Sequence, residues 1–437
     1  MIFSQFVDDA LGCASYLIGD EDSGDAVVVD PPFAIEPVLE EARRRGVRLV
    51  RVLETHTHAD HLSGHGRLAL EHGLPVSIHP LAAPEFPFDP LEDGTEVALG
   101  AVALRALHTP GHRPEHTCLA VLDRTRADEP WLILTGDSLF VGDVARPDLA
   151  VEARAGAEAL FSSLRRLLAL GDGVEVFPGH VAGSLCGKAM SSKASTTIGF
   201  ERRFNPALAA SDVAVFVADT AAVTTPRPPN MERIVELNRG PFVGAPADPA
   251  PLVAPPPGAQ VLDVRGVEEF ARGHLPGAIN VPVAGSRFPT KAAFVLDAER
   301  PLVVAAASEA EIAEATRGLR AVGFLELAGT VSAEGPERLE LIPPAALREH
   351  LSSGAQLVDV REPDEAALAP LPGSLVLPYR ELAHGVLPLP RDRPLVTICE
   401  SGPRAVVAAS VLAARGYDAR AVWPGGSDDL RDRAPGC

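Results

Sequence analysis

The chain is short of positive charge, of cysteine and of long apolar runs. Lys and Arg number 39 against 59 Asp and Glu, so the summed field at neutral pH is negative and repels phosphate backbones and anionic lipid. That disfavours nucleic acid and acidic membranes as partners. Among the basic residues only Lys188, Lys193 and Lys291 are lysine, a bias that, with 41 prolines, points to genome composition rather than to function. The cysteines, Cys13, Cys118, Cys186, Cys399 and Cys437, are odd in number and widely spaced. This excludes a disulfide scaffold and a zinc knuckle, and fits a reducing compartment. No unbroken apolar run is long enough to span a membrane, and the N-terminal MIFSQFVDDALGCASYLIGD carries acids where a signal peptide needs a basic flank. The expected location is the cytoplasm.

What is present is a chain of 437 residues, 46% hydrophobic and 22% charged, which can bury sizeable cores and by length predicts about three domains. Short apolar runs (SYLIG, DAVVVD, LVRVLETH, PVSIHP, WLILTGD, VEVFPGH) alternate with helix-like runs such as Ile35 to Arg45 and Gly156 to Ala169. Polar residues repeatedly follow the apolar strands, the layout of an α/β layered domain with its site on loops at strand ends. Gly240 to Gly258 is dense in proline and glycine and reads as a linker. Beyond it lies an internal repeat: GAQVLDVR at Gly258 to Arg265 recurs as GAQLVDVR at Gly354 to Arg361, and PLVVAA from Pro301 as PLVTIC from Pro394. Two related domains follow, giving an expected division into 1–245, 246–340 and 341–437.

Ten of the thirteen histidines lie between His56 and His180, a clustering that suggests a metal site. The strand Leu49 to Glu54 runs into Thr55-His56-Thr57-His58-Ala59-Asp60-His61. Alternate histidines leaving a strand point to one side, and the turn that follows can bring Asp60 and His61 round to face them. His112, Asp137 and His180 each end another apolar run. This constellation, HxHxDH with the later His112, Asp137 and His180, resembles the metallo-β-lactamase fold superfamily over residues 1 to about 240, which implies an αββα sandwich. If all seven groups bind, two metals, as in the zinc thioester hydrolase glyoxalase II, share Asp137. If only His56, His112 and Asp137 bind, the set is two imidazoles and a carboxylate with open positions, suited to Fe(II) and dioxygen. ETHTHADHLSG at Glu54 to Gly64 and TGDSLFVGDVARPDL at Thr135 to Leu149 are similar to persulfide dioxygenases. That resemblance implies one iron on His56, His112 and Asp137, with His58, Asp60, His61 and His180 in supporting places. Arg113 stands where that family commonly has Thr, a departure at the substrate side.

In the second repeat a strand Leu395 to Ile398 leads into the loop Cys399-Glu400-Ser401-Gly402-Pro403-Arg404, and a helix follows from Ala405 to Arg415. Backbone N–H groups, the positive end of that helix and Arg404 all favour a thiolate able to attack sulfane sulfur. The loop, with DVRE at Asp359 to Glu362, resembles the rhodanese sulfurtransferases, and the first repeat shares the framework. There, however, Ala306 falls opposite Cys399 and Glu311 opposite Arg404, so the first repeat is expected to be inactive. Cys186, in the glycine-rich stretch after His180 and near Lys188, is either a second sulfur-handling thiol or a plain one. Cys13, Cys118 and Cys437 are taken as structural.

Over its full length the chain resembles multidomain persulfide dioxygenase–sulfurtransferases. The resemblance implies Fe(II), a small thiol persulfide and O2 as substrates, sulfite as the product passed on to Cys399, and thiosulfate as the outcome, a sulfide-detoxifying sequence. The rivals are a glyoxalase II-like enzyme with two zincs and a non-catalytic sulfur-relay or docking protein. A homo-oligomer is compatible with the sequence, and Arg146, Arg202 and Arg203 are the candidate anion contacts.

Overall fold

A computed structural model of the chain describes residues 1–148, 152–181, 191–221 and 227–431. The chain forms two compact units, Met1–Ala245 with Ala321–Gly323, and Pro246–Arg320 with Phe324–Cys437. Among the described residues no helix is long and apolar enough to cross a membrane.

In the first unit, β1 (Ile2–Asp8), β2 (Cys13–Gly19), β3 (Asp25–Val29), β4 (Arg48–Leu53), β5 (Val76–Ile78) and β6 (Asp89–Pro90) make one sheet in that order. A second sheet takes β7 (Glu96–Ala98), β8 (Val102–His108), β9 (Thr117–Asp123), β10 (Leu132–Gly136), β11 (Glu175–Pro178) and β12 (Thr196–Thr197), again in sequence order. Successive side chains of a strand face opposite ways, and β10 shows the use made of this. Leu132 and Leu134 enter the core between the sheets with Ile18, Val27, Val29 and Leu104. Ile133 points outward against Leu160, Leu164 and Leu167.

Those three leucines lie on the helix Ala153–Leu168 and repeat at the spacing of one helix face. That helix begins three residues before its expected start because Glu152 caps it, its carboxylate accepting the Ala155 N–H at 3.1 Å. On the other outer face the helices Glu36–Arg45 and His65–His72 cover the first sheet through Val38 and Leu68. The result is the αββα sandwich expected from the sequence. Its strand ends set the site: His56 follows β4, Asp137 follows β10, His180 follows β11, and Cys13 opens β2.

The second unit holds two parallel sheets. The first contains β13 (Gln260–Asp263), β14 (Ile279–Asn280), β15 (Leu302–Ala306) and β16 (Leu327–Ser332), ordered β14-β13-β15-β16. The second contains β17 (Glu340–Ile342), β18 (Gln356–Asp359), β19 (Leu375–Val376), β20 (Leu395–Ile398) and β21 (Ala419–Val422), ordered β19-β18-β20-β21-β17. The two share one order, with β17 added at an edge, so the repeat in sequence is a repeat in topology. The DVR motifs do the same work in both. Arg265 grips Asp263 at 2.6 Å and the Gly273 carbonyl at 2.9 Å; Arg361 grips Asp359 at 2.5 Å and the Ala369 carbonyl at 2.8 Å.

Two features differ from a simple string of beads. Part of the expected linker is fixed, since Leu252 donates its N–H to the Thr330 carbonyl of β16 at 2.7 Å. The repeats also share a core, in which Val406, Ala409 and Ala421 pack with Val261, Phe270 and Val303.

Arg361 is among the largest fully buried side chains. Removing one partner of a buried ion pair strands the other charge. Asp359→Leu is therefore expected to destabilise the protein by about 3–5 kcal/mol, read as a lower midpoint of thermal unfolding; an unchanged midpoint contradicts the assignment.

Candidate functional site

The HxHxDH loop is held from several sides. Asn238, buried on the helix Met231–Arg239, donates to the carbonyls of His58 and His61, both at 2.9 Å, and accepts the Ser63 N–H at 2.9 Å. Asp30 accepts the Thr55 N–H at 2.7 Å and its hydroxyl at 2.8 Å. Thr55 Oγ1 in turn lies 2.9 Å from His56 Nδ1, which leaves the lone pair of Nε2 facing Asp137. His112 is set the same way, its Nδ1–H donating to the Arg146 carbonyl at 3.2 Å. Hydrogen bonds of this kind fix the tautomer and orientation of a metal-binding histidine.

The seven motif residues come together as three groups rather than one. His56, His112 and Asp137 form the first, with donor atoms within 4.8 Å of one another. Asp137 Oδ2 stands 3.5 Å from His112 Nε2 and 3.9 Å from His56 Nε2, and it is buried without a hydrogen-bond partner among the described residues. Burial works against ionising this carboxyl, yet His180 and His112 hold it well below the usual carboxylate range. A buried carboxylate oxygen facing two imidazole nitrogens, with nothing between them, fits a bound cation. These three residues could hold one metal.

His58 falls in a second group. Its Nε2 lies 3.2 Å from Glu54 Oε2 and 3.3 Å from Asp30 Oδ1. Although burial opposes a charge there, the two carboxylates push His58 well above its usual range. His58 thus stands as the counter-ion of two buried acids.

The third group joins Asp60, His61 and His180 to Cys13, whose thiol was expected to be a bystander. Cys13 Sγ is 3.3 Å from His180 Nε2, 3.4 Å from His61 Nδ1 and 3.6 Å from Asp60 Oδ2. His180 spans two acids, with Nδ1 2.6 Å from Asp137 Oδ1 and Nε2 2.7 Å from Asp60 Oδ2. Burial and the Asp60 charge push the Cys13 thiol well above its usual range. Cys118, by contrast, lies in the core as expected, pushed up to about 12 by burial. Cys186, Lys188 and Cys437 lie outside the described residues.

His116 is a site residue that the motif did not reveal. Its Nε2 accepts the Asp137 N–H at 2.9 Å and its Nδ1–H donates to the Thr109 carbonyl at 3.1 Å. Burial brings it down to about 3, so it stays a neutral acceptor. Gly136 makes room for this contact, because a Cβ there would meet His116 Nε2 at 2.7 Å and Thr55 Oγ1 at 2.9 Å. The expected anion contacts Arg146, Arg202 and Arg203, and Arg113 with them, meet partners within the chain, Arg202 and Arg203 at the exposed surface. Arg146 pairs with Asp148 at 2.7 Å, Arg113 with Glu115 at 2.6 Å, and Arg202 with Asp172. Arg203 lies over the Phe204 ring.

In the second unit, Cys399 is buried and its Sγ accepts the Gly402 N–H at 3.1 Å. The following helix spans Pro403–Ala414 and so starts earlier than expected, because proline is well suited to a first helical position. Arg404 therefore sits in its first turn, where its guanidinium meets both oxygens of Glu365 at 2.6 and 2.8 Å. At the matching loop of the first repeat, Ala306 ends β15. The N–H groups of Ala307 and Ser308 are taken by the Glu311 carboxylate at 2.8 and 3.2 Å. A carboxylate of the chain itself occupies the cradle there.

The family described as the metallo-beta-lactamase superfamily matches residues 8–180, and the rhodanese-like domain family matches 253–331 and 343–431. An uncharacterized protein of Mycobacterium leprae is 32% identical over 48% of this chain and 99% of its own. A Bos taurus protein named mitochondrial persulfide dioxygenase ETHE1 is 30% identical over 51% of this chain and 82% of its own. Among solved structures, a metallo-beta-lactamase from Staphylococcus aureus superposes with a TM-score of 0.70 and 27% identity, covering 76% of this chain and 99% of that one.

The grouping makes a prediction about metal retention. Alanine at His56, His112 or Asp137 is expected to remove bound metal after gel filtration, whereas His58→Gln, which can still donate to Asp30 or Glu54, keeps it near the wild-type stoichiometry. Elemental analysis decides, and loss of the metal in His58→Gln would overturn the assignment.

Proposed function

Because the chain belongs to the metallo-beta-lactamase superfamily and carries two rhodanese-like domains behind that domain, we propose that this enzyme of sulfur metabolism couples two reactions. It oxidises a low-molecular-weight thiol persulfide with O2 at a single Fe(II), and it passes sulfane sulfur to the resulting sulfite through Cys399. The observation that carries the first half is the sorting of the histidines. His56 and His112 face the unpartnered oxygen of Asp137, while His58 is held by Asp30 and Glu54. Two imidazoles and one carboxylate with open positions suit Fe(II) and dioxygen. A dinuclear zinc hydrolase would need His58 on its first metal, and Asp60 and His180 on its second, where they already pair with each other.

The chain's own residues orient and enclose this chemistry. The Thr55 hydroxyl and the Arg146 carbonyl fix both imidazoles with Nε2 inward, and His116 and His180 fix Asp137. Burial of all three ligands keeps bulk water away. Iron, when bound there, mediates electron flow between the terminal sulfur and O2. The balance is RSSH + O2 + H2O giving RSH, sulfite and two protons, with four electrons passing from the sulfane sulfur to oxygen. At the second unit, the Cys399 thiolate takes the outer sulfur of another persulfide and releases its thiol. Sulfite then attacks that sulfur, the S–S bond breaks with its electrons returning to Cys399, and thiosulfate leaves. Having both sites on one chain raises the local concentration of sulfite, which serves sulfide detoxification in a reducing cytoplasm.

Purified protein is expected to hold about one iron per chain and to consume O2 with glutathione persulfide; two zincs and no oxygen uptake would replace this reading with the hydrolase. Cys399→Ser is expected to accumulate sulfite in place of thiosulfate, as followed by ion chromatography. An unchanged thiosulfate yield would sink the coupling.

A further inference from the structure

Arg404 is the cation that the loop itself brings to Cys399, and its charge is already matched by Glu365. An incoming sulfite dianion needs unmatched positive charge near the outer sulfur. We propose that the cysteine-free first repeat supplies it, with Arg287 and Lys291 forming the cationic half of a sulfite site over Cys399. The proposal rests on the reading of Cys399 as a sulfur carrier.

The helix Phe288–Val295 of the first repeat packs on the short turn Tyr379–Glu381 of the second. There the rings of Phe294 and Tyr379 meet edge-on with centroids 6.0 Å apart. Further contacts hold the repeats in this register: the Asn280 N–H donates to Ser410 Oγ at 3.0 Å, and Trp423 Nε1–H donates to Glu268 at 2.7 Å. Arg287 immediately precedes the helix, and its carbonyl accepts the Lys291 N–H at 3.0 Å. The turn Tyr379–Glu381 also packs on the helix Pro403–Ala414 that follows Cys399, and Lys291 feels the charges of Arg287, Cys399 and Arg404. Tyr379 interacts with Arg287 and Arg404 as well.

Neither Arg287 nor Lys291 has a carboxylate partner among the described residues. Burial, with Arg287 beside it, pushes Lys291 below its usual range, while Cys399 pulls it back up. A half-buried ammonium beside two guanidinium groups is unfavourable until an anion joins it. The backbone carries strain at the same place. Arg287 adopts φ 57° and ψ 37°, a left-handed conformation that costs a non-glycine residue about 1 kcal/mol or more and tends to persist at functional sites. The first repeat's own loop is closed to anions by Glu311, so its cations act at the neighbour's cysteine.

The test uses the full chain with Arg287→Asn, which tolerates the left-handed backbone, combined with Lys291→Gln. The KM for sulfite in sulfur transfer is expected to rise about tenfold or more, on the scale of a lost charge-assisted contact. Loading of Cys399 by glutathione persulfide, followed by mass spectrometry, stays within about twofold, and Lys291→Arg retains the wild-type KM. A second readout does not depend on turnover: sulfite protects reduced Cys399 from iodoacetamide, and the protecting concentration rises by the same factor in the double variant. An unchanged KM and unchanged protection in the double variant overturn the proposal. Should Cys399 never load with sulfur while protection still depends on Arg287 and Lys291, the anion site stands and the sulfur-carrier reading falls.

Discussion

The front domain depends on one buried charge. Asp137 is fully enclosed, and among the described residues only one of its two oxygens finds a hydrogen-bond partner, the ring of His180 at 2.6 Å. An uncompensated buried carboxylate costs several kcal/mol, so the surrounding residues are arranged around it. His116 accepts its backbone N–H, and glycine stands at positions 136 and 179, where a Cβ would strike His116 or Asp137 itself. His180 then carries the compensation outward to Asp60, and Asp60 passes it to His61. His56 and His112 turn their Nε2 atoms to the other oxygen of Asp137, and the three together can hold a cation.

The types of residue at that site were legible in the sequence, because ligands at strand ends leave a spacing that can be read without knowing the packing. Pairing was not legible from the spacing alone. His56 and His58 alternate along the same segment and ought to share a target, yet Asp30 reaches His58 from the end of β3 and Glu54 from the end of β4. Nothing in HxHxDH encodes the position of an aspartate many residues upstream. Cys13 was misread for a similar reason. It opens an apolar strand, where cysteine serves as a small hydrophobe, and only the bridge between Cys13 and His180 brings the thiol to the third group. Asn238 gave no local signal at all, being one polar residue on an amphipathic helix far along the chain.

The architecture was more transparent than the contacts. Strand alternation and the repeat are local properties, and both survive in the sandwich and in the matched sheets. Helix starts moved by a few residues where a side chain or a proline made the first turn favourable, as at Glu152 and Pro403. The shared core of the repeats could not be read from either one alone, since Val406 and Ala409 look like any helix core until the first repeat is set against them.

The two repeats show how one loop can be turned to opposite ends. Each has a strand leading into backbone N–H groups that can accept a negative partner, and each is anchored by a buried Asp–Arg pair. In the second, a sulfur atom occupies the cradle, and Gly402, with a positive φ of 107°, turns its N–H onto it. In the first, Glu311 reaches back from the helix and fills the cradle with the chain's own carboxylate. That change puts a carboxylate in the first repeat's loop where the second has a thiol. It leaves untouched the framework that carries the helix Phe288–Val295 against the neighbour. A repeat without the cysteine can therefore still serve its neighbour, provided that the face presenting Arg287 and Lys291 stays in register.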